Sequence, residues 1–263
     1  MHKKMNILGI EMDCLSYGET HQIFKKWLSD KESRSHSLAL INVNCCVSAL
    51  LDSRLIDLYN SADIVGIDSM PFLKWARAFY KKGCDRFYAP DLMLEVSSKA
   101  KEFGYTFFLY GGAEDAPEKI EAYLSKRFEG IKVVGKYSPP FRPLTEVEDA
   151  AVCDLINSAR PDFLWVGLGS PKQDVWISEH REKIRGTIMI ASGATFDFFS
   201  GRIKQAPHWI REAGFEWLYR LTKDFRRLWA RYLVYNFIFM VMFGLQLTGL
   251  RSYARSARTT AFD

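Results

Sequence analysis

The sequence predicts an α/β fold: a mostly parallel sheet flanked by helices, followed by a helical, membrane-associating C-terminal appendage. Three observations carry this expectation. Short apolar runs rich in β-branched and aromatic residues alternate with longer stretches of helical period. No internal repeat or low-complexity linker interrupts them over residues 1 to about 200. Charge is divided unevenly, with 25 Lys/Arg and 27 Asp/Glu in residues 1–200 but 11 and 4 in residues 201–263, so the net +5 belongs to the last quarter. At 263 residues and 48% hydrophobic, the chain can hold one large α/β domain plus an appendage. The same composition excludes a disulfide miniprotein, a collagen-like repeat and a disordered tail.

The elements follow in order. The opening MHKKMNILGIEMD is briefly basic but has no long apolar run, which argues against a secretory signal. Strands are expected at 37–43, 62–67, 106–110, 131–134, 163–167 and 187–191. Helices are expected at 46–60, 71–80 and 117–128, the last with Pro117 at its start. A further acidic helix begins at Thr145, where Glu148 three residues on completes a capping box. The domain division expected is a core over 1–210 and a basic, apolar appendage over 211–263.

Sheets of this kind bind ligands outside the carboxyl ends of their strands. The polar residues just past the apolar runs are Asn42, Asn44, Asp68, Ser69, Gly111, Gly112, the GSPKQD segment from Gly169 to Asp174, and SGATFD from Ser192 to Asp197. They suggest one convergent pocket. Asp68 is the residue of interest: a partly shielded carboxylate at a strand-to-helix junction can act as a general base, or it can cap the helix that Pro71 opens. Asp197, between two phenylalanines, carries the same two readings and leans structural.

Several chemistries are poorly supported. The run Gly130 to Tyr137 imitates a phosphate loop, but it is strand-like and lacks the Ser/Thr that would hold magnesium. Gly167 and Gly169 lack the third glycine of a dinucleotide fingerprint, and Phe141 stands where an epimerase Tyr-x-x-x-Lys pair would need lysine. No Asp-x-Asp occurs, so a diphosphate would have to be met by Arg, Lys or backbone N–H groups. The five cysteines form no C-x-x-C and His2, His21, His36, His180 and His208 are scattered, which reads as reduced thiols, a cytosolic chain and no metal site.

In the C-terminal quarter, residues 215–233 read as one amphipathic helix with Arg220, Arg227 and Arg231 within a narrow arc beside an apolar flank. Such a face suits a phospholipid surface or a lipid diphosphate, with nucleic acid second and a solvated face as the plain reading. Residues 232–250 are 19 without a charge, flanked by arginines on both sides. A helix lying on or dipping into the membrane is favoured over a span or a buried oligomer contact.

These strand-end residues, taken in order, resemble the WecG/TagA/CpsF glycosyltransferases, glycosyltransferase family 26. The segments that carry the resemblance are 161–174 (PDFLWVGLGSPKQD), 192–201 (SGATFDFFSG), 205–207 (QAP) and 214–221 (GFEWLYRL), with Asp68, 85–92 (DRFYAPDL) and Gly111-Gly112. The likeness runs from about residue 5 to 233, and the 137–142 loop (YSPPFR) resembles members of exopolysaccharide clusters. The resemblance implies a Rossmann-like core and transfer, with inversion and without a metal, of a sugar from a UDP-sugar to a polyprenyl-diphosphate-linked saccharide. The setting implied is cell-surface polysaccharide synthesis of the exopolysaccharide, enterobacterial common antigen or teichoic-acid type, at the cytoplasmic face of the inner membrane. Asp68 matches the family's proposed base and Asn44 a pocket asparagine, while Asn42 stands where many members have Thr. Arg86, Gln173, Arg220 and Arg227 match positions expected to touch substrate or diphosphate, with Arg231 sharing that role. Asp91, Gly111, Gly112 and Asp197 complete the expected substrate-binding set.

The chain departs from the family pattern at Ser69 for Gly, Ala89 for Gly, Asp174 for Glu, Phe225 for Pro and Ala230 for Arg. No cofactor is implied. Rival readings are a nucleotide-sugar epimerase or dehydrogenase and a non-enzymatic membrane scaffold. The sugar, the acceptor saccharide and the oligomeric state are not fixed by the sequence; N-acetylmannosamine, its uronic acid and glucose all suit such a family, and a homo-oligomer is compatible.

Overall fold

The computed structural model describes residues 2–30, 34–223 and 225–253, the side chains of residues 227, 230 and 231 excepted. A short antiparallel hairpin opens the chain, β1 (Lys4–Ile7) and β2 (Ile10–Asp13), joined by Leu8 and Gly9. Both turn residues have positive φ, 52° and 90°, the backbone that a two-residue hairpin loop demands. The remaining strands are β3 (His36–Ile41), β4 (Ile64–Ile67), β5 (Thr106–Gly111), β6 (Lys132–Tyr137), β7 (Phe163–Gly167) and β8 (Ile188–Ala191). They form one six-stranded sheet in the order β4-β3-β8-β7-β5-β6. The pairings β3–β8, β8–β7, β7–β5 and β5–β6 are parallel. The α/β architecture expected from the alternating runs is the one found. β4, β7 and β8 are buried almost throughout because helices cover both faces of such sheets, which is why they read as continuous apolar runs.

Contacts divide the chain into two compact units. The first is assembled from Met1–Tyr17, Leu40–Phe87 and Gln205–Asp263. Its buried set includes Met5, Ile7, Ile10, Met12, Tyr59, Ile64, Val65, Phe72 and Phe87. The second consists of Gly18–Ala39 and Tyr88–Lys204. One of its cores joins Phe108, Tyr110, Leu164, Val166 and Met189 of the sheet to Ile156, Trp176 and Ile177 of the covering helices. The helix Glu146–Ala159 starts as its sequence dictates: Thr145 accepts from the Glu148 N–H while the Glu148 carboxylate takes the Thr145 N–H, a cap worth about 1 kcal/mol.

Four expectations need correction. The first long strand stops at Ile41 rather than residue 43, because Asn42 turns to cap the next helix. The helix expected at 46–60 is two helices, Val43–Leu51 and Arg54–Ser61. Asp52 breaks it by taking the Arg54 N–H and guanidinium on its own carboxylate, an example of a short acidic side chain competing with the helical ladder. The strand expected at 131–134 runs to Tyr137, placing Gly135 in close contact with the Phe108 ring; a Cβ there would lie 2.3 Å from that ring.

The fourth correction concerns the C-terminal segment. Instead of one helix over 215–233, the chain forms Glu216–Lys223, Phe225–Trp229 and a π-helical turn Ala230–Val234, then the helix Tyr235–Leu247. That last helix packs on its own unit: Phe239 meets Phe72 and Phe243 meets Trp75 at 5.3 and 5.6 Å between ring centroids. Gln246 accepts from the Leu8 N–H at 2.9 Å and donates to Asn6, so it joins this helix to the hairpin. Thirteen residues rise about 20 Å, short of the ~30 Å hydrocarbon core. Among the described residues no helix is long and apolar enough to cross a membrane.

Candidate functional site

In the first unit the site is built where β3 and β4 end. Asp68 directly follows β4, and its N–H donates to the Ile41 carbonyl at 3.0 Å, extending the β3–β4 pairing by one step. Ser69 occupies the N-cap position of the helix Met70–Phe79 without a side-chain capping bond, Pro71 lies in the first turn, and Asp68 stands one residue before the cap. Its half-buried carboxylate accepts from Asn42 Nδ2 at 2.9 Å. Asn42 Oδ1 is taken by the Cys45 N–H at 3.2 Å, which caps the helix Val43–Leu51. Both ends of the Asn42 amide thus have protein partners. Asn44, the second residue of that helix, has a buried Oδ1 with no hydrogen-bond partner among the described residues.

Arg86 reaches the same place from the segment between two helices. Its Nε donates to the main-chain carbonyl of Asp68, and its terminal nitrogen lies 3.5 Å from Glu216. Both side chains of that ion pair are only 13% exposed, so screening by water is weak. The segment is stitched down on each side: Tyr17 Oη donates to the Arg86 carbonyl at 2.6 Å, the Tyr17 N–H donates to Asp85, and the Phe87 N–H donates to the Ile67 carbonyl. Phe87 then lies on Gly66, where a Cβ would stand 2.8 Å from it. Arg220 is four residues after Glu216 on the helix Glu216–Lys223 and so shares its face. The side chains of Arg227 and Arg231 lie outside the described residues.

In the second unit the glycines predicted to receive substrate are explained first by packing. Gly111 has φ +118°, and a Cβ there would lie 2.6 Å from the Gly167 carbonyl carbon. At Gly112 a Cβ would meet Ala116 and Phe196 at 2.8 Å. Gln173 Oε1 accepts from the N–H groups of Gly169 and Gly193, at 3.1 and 2.9 Å, and so bridges the loops after β7 and β8. Its carbonyl end is a clamp on two loops. Asp174, the next residue, is buried at the start of the helix Lys172–His180, and burial pushes its carboxyl up to about 7 against a smaller opposing effect of Ser170. Asp91 stands in the first turn of the helix Ala89–Ser98, against which the helix bearing Asp197 packs. Asp197 lies 3.9 Å from Arg202, in keeping with its structural leaning.

The structure therefore brings Asn42, Asp68 and Arg86 together, and separately Gly111, Gly112 and Gln173 with Gly167, Gly169 and Gly193. Sequence reasoning missed Glu216, Tyr17 and Asp85, the groups that hold Arg86. The signal for Glu216 was its spacing of four from Arg220. It also missed that Asp149, Cys153 and His180 gather their ligand-type atoms within 4.8 Å. There, however, His180 Nε2 already meets Asp149 at 2.8 Å and Nδ1 meets the Trp176 carbonyl at 2.7 Å.

Residues 5–253 match the glycosyl transferase WecG/TagA/CpsF family, beyond Leu233 where the motif resemblance ended. The chain is similar to the N-acetylglucosaminyldiphosphoundecaprenol N-acetyl-beta-D-mannosaminyltransferases of Staphylococcus aureus strains MW2 and NCTC 8325. It is 24% identical to each over 225 residues, 86% of this chain and 87% of the relative. With the match covering nearly the whole chain, the protein belongs to the WecG/TagA/CpsF family of glycosyltransferases.

Proposed function

We propose that this glycosyltransferase moves a sugar from a UDP-sugar onto an undecaprenyl-diphosphate-linked N-acetylglucosamine in cell-surface polysaccharide synthesis, with inversion at the anomeric carbon. The acceptor follows the names of its relatives. The observation that carries the chemistry is Asp68: a half-buried carboxylate past the end of β4, held by Asn42. In a single in-line displacement it removes the proton of the acceptor hydroxyl, while negative charge grows on the departing diphosphate. With no Asp-x-Asp to carry a metal, Arg86 and Arg220, joined by Arg227 and Arg231, stabilise that charge through charge-assisted hydrogen bonds. Asn44, with its buried unpaired Oδ1, suits a sugar hydroxyl. Asp91, Gly111, Gly112, Gln173 and Asp197 are the substrate-binding residues this reading assigns to the second unit.

The division of labour between 1–210 and 211–263 is part of the same proposal. The second segment exposes Phe215, Phe225, Trp229, Phe237 and Met240 along with Lys223 and Arg226, side chains suited to peripheral association with an anionic bilayer at the cytoplasmic face. The test is UDP release from a panel of UDP-sugars with a short-chain polyprenyl-diphosphate N-acetylglucosamine acceptor, with and without EDTA. Asp68→Asn is expected to lose at least about a thousandfold in turnover while retaining UDP-sugar binding. Near-normal turnover in that variant removes Asp68 as base, and loss of wild-type activity in EDTA removes metal independence.

A further inference from the structure

The amide of Asn42 faces two ways. Its backbone is extended, φ −126° and ψ −178°, as a helix N-cap requires, and its Oδ1 accepts from the Cys45 N–H. The other end, Nδ2, donates to Asp68 Oδ2 at 2.9 Å. The cap decides the orientation of the amide. A flip would turn the NH2 group toward the Cys45 donor and set Oδ1 against a carboxylate, losing two hydrogen bonds at once. Helix capping therefore fixes a donor on the carboxylate.

No other capping residue does both. Ser and Thr cap through a hydroxyl that ends one bond short of the position Nδ2 occupies, and Asp would cap while presenting a second anion to Asp68. We infer that Asn42, rather than binding a sugar hydroxyl, is a positioning residue that fixes the Asp68 carboxylate in one rotamer and favours its ionised form. This rests on Asp68 being the base. Among the described residues, the charged groups placed at this site are Arg86, whose Nε donates to the Asp68 main-chain carbonyl, Glu216, the partner of Arg86, and Arg220 on the same helix face as Glu216. Substitution at position 42 leaves all three side chains in the protein.

The experiment measures kcat and KM from pH 5 to 9 for full-length wild type, Asn42→Ser, Asn42→Ala and Asp68→Asn, using UDP-N-acetylmannosamine and the short-chain acceptor, with a thermal melt of each. Asn42→Ser keeps the cap and is expected to melt like wild type. Its loss of one hydrogen bond to the ionised carboxylate moves the acid limb of kcat/KM up by about one pH unit. Below that limb the rate falls about tenfold, mostly in kcat, and it recovers toward wild type at high pH. Asn42→Ala shows the same limb with a lower melting temperature. A wild-type profile in Asn42→Ser, or a loss equal at every pH, overturns the positioning role. Retained activity in Asp68→Asn instead overturns the base assignment on which it stands.

Discussion

Asp174 offers a prediction whose size follows from its surroundings. The side chain is 6% exposed, and its Oδ2 has no hydrogen-bond partner among the described residues. Burial raises the carboxyl from 3.8 to about 7, outweighing Ser170. Between about pH 4 and 7 the folded protein keeps a proton that the unfolded chain releases, so this group makes stability fall as pH rises across that window and level off above it. Three units correspond to about 4 kcal/mol at most, since each unit is 1.36 kcal/mol. Asp174→Asn has the shape of the protonated acid and no such slope. Measured by urea unfolding at pH 4.5, 6 and 8, its stability relative to wild type should improve progressively, by about 2 to 4 kcal/mol between the ends of the series. A difference that stays constant with pH, or shrinks as pH rises, would refute a buried, proton-retaining carboxyl. Sugar transfer at pH 8 should persist, because the neighbouring Gln173 bridge does not use this carboxylate.

Gly111→Ala should lower stability by roughly 3 kcal/mol or more, because a Cβ would strike the Gly167 backbone at 2.6 Å in a left-handed conformation; a normal melt would show that β5 can shift. Gln173→Ala strands two N–H donors and should cost about 2 to 3 kcal/mol, whereas Gln173→Glu keeps the acceptor and should cost less in the same denaturation assay. Phe239→Ala should cost about 3 kcal/mol, since that ring is 9% exposed and packs on Phe72 and Phe243; a change under about 1 kcal/mol would deny the docking of the last helix. Burial alone would raise Asp149, but His180 and then Lys183 overcome it and hold the carboxyl below its ordinary value. The stability this gives is present above about pH 4 and lost as pH falls through the folded-state value, so Asp149→Asn should cost about 1 kcal/mol at pH 7 and progressively less as acid protonates the wild-type carboxyl.

The sheet was legible because its strands are short apolar runs with no competing period, and five of the six long-sheet strands fall within two residues at each end of their expected ranges. What escaped depends on side chains that bond to the backbone or to one another. Asp52 splitting a helix through Arg54, and Asn42 ending a strand by capping the next helix, are local events that no apolar pattern records. At the site, residue types at strand ends pointed to Asp68 and Asn42, and the family resemblance to Arg86. Their roles were divided by contacts between residues 26 and 130 positions apart: Asn42 with Asp68 and Arg86 with Glu216. Gln246 shows the limit most plainly: it is one polar residue in an uncharged run, and only the fold reveals that it holds the opening hairpin.

That hairpin contact also orders events during synthesis. Leu8 and Gln246 are 238 residues apart, and the first unit draws on the beginning, the middle and the end of the chain. The second unit needs nothing beyond Lys204. Contacts of such long separation close last, because chain entropy opposes them until their partners exist. A nascent chain can therefore complete the second unit on the ribosome while Asp68, Asn42 and Arg86 wait for the final helix to cover Phe72. The residues of the proposed site are thus the last part of the fold to be completed.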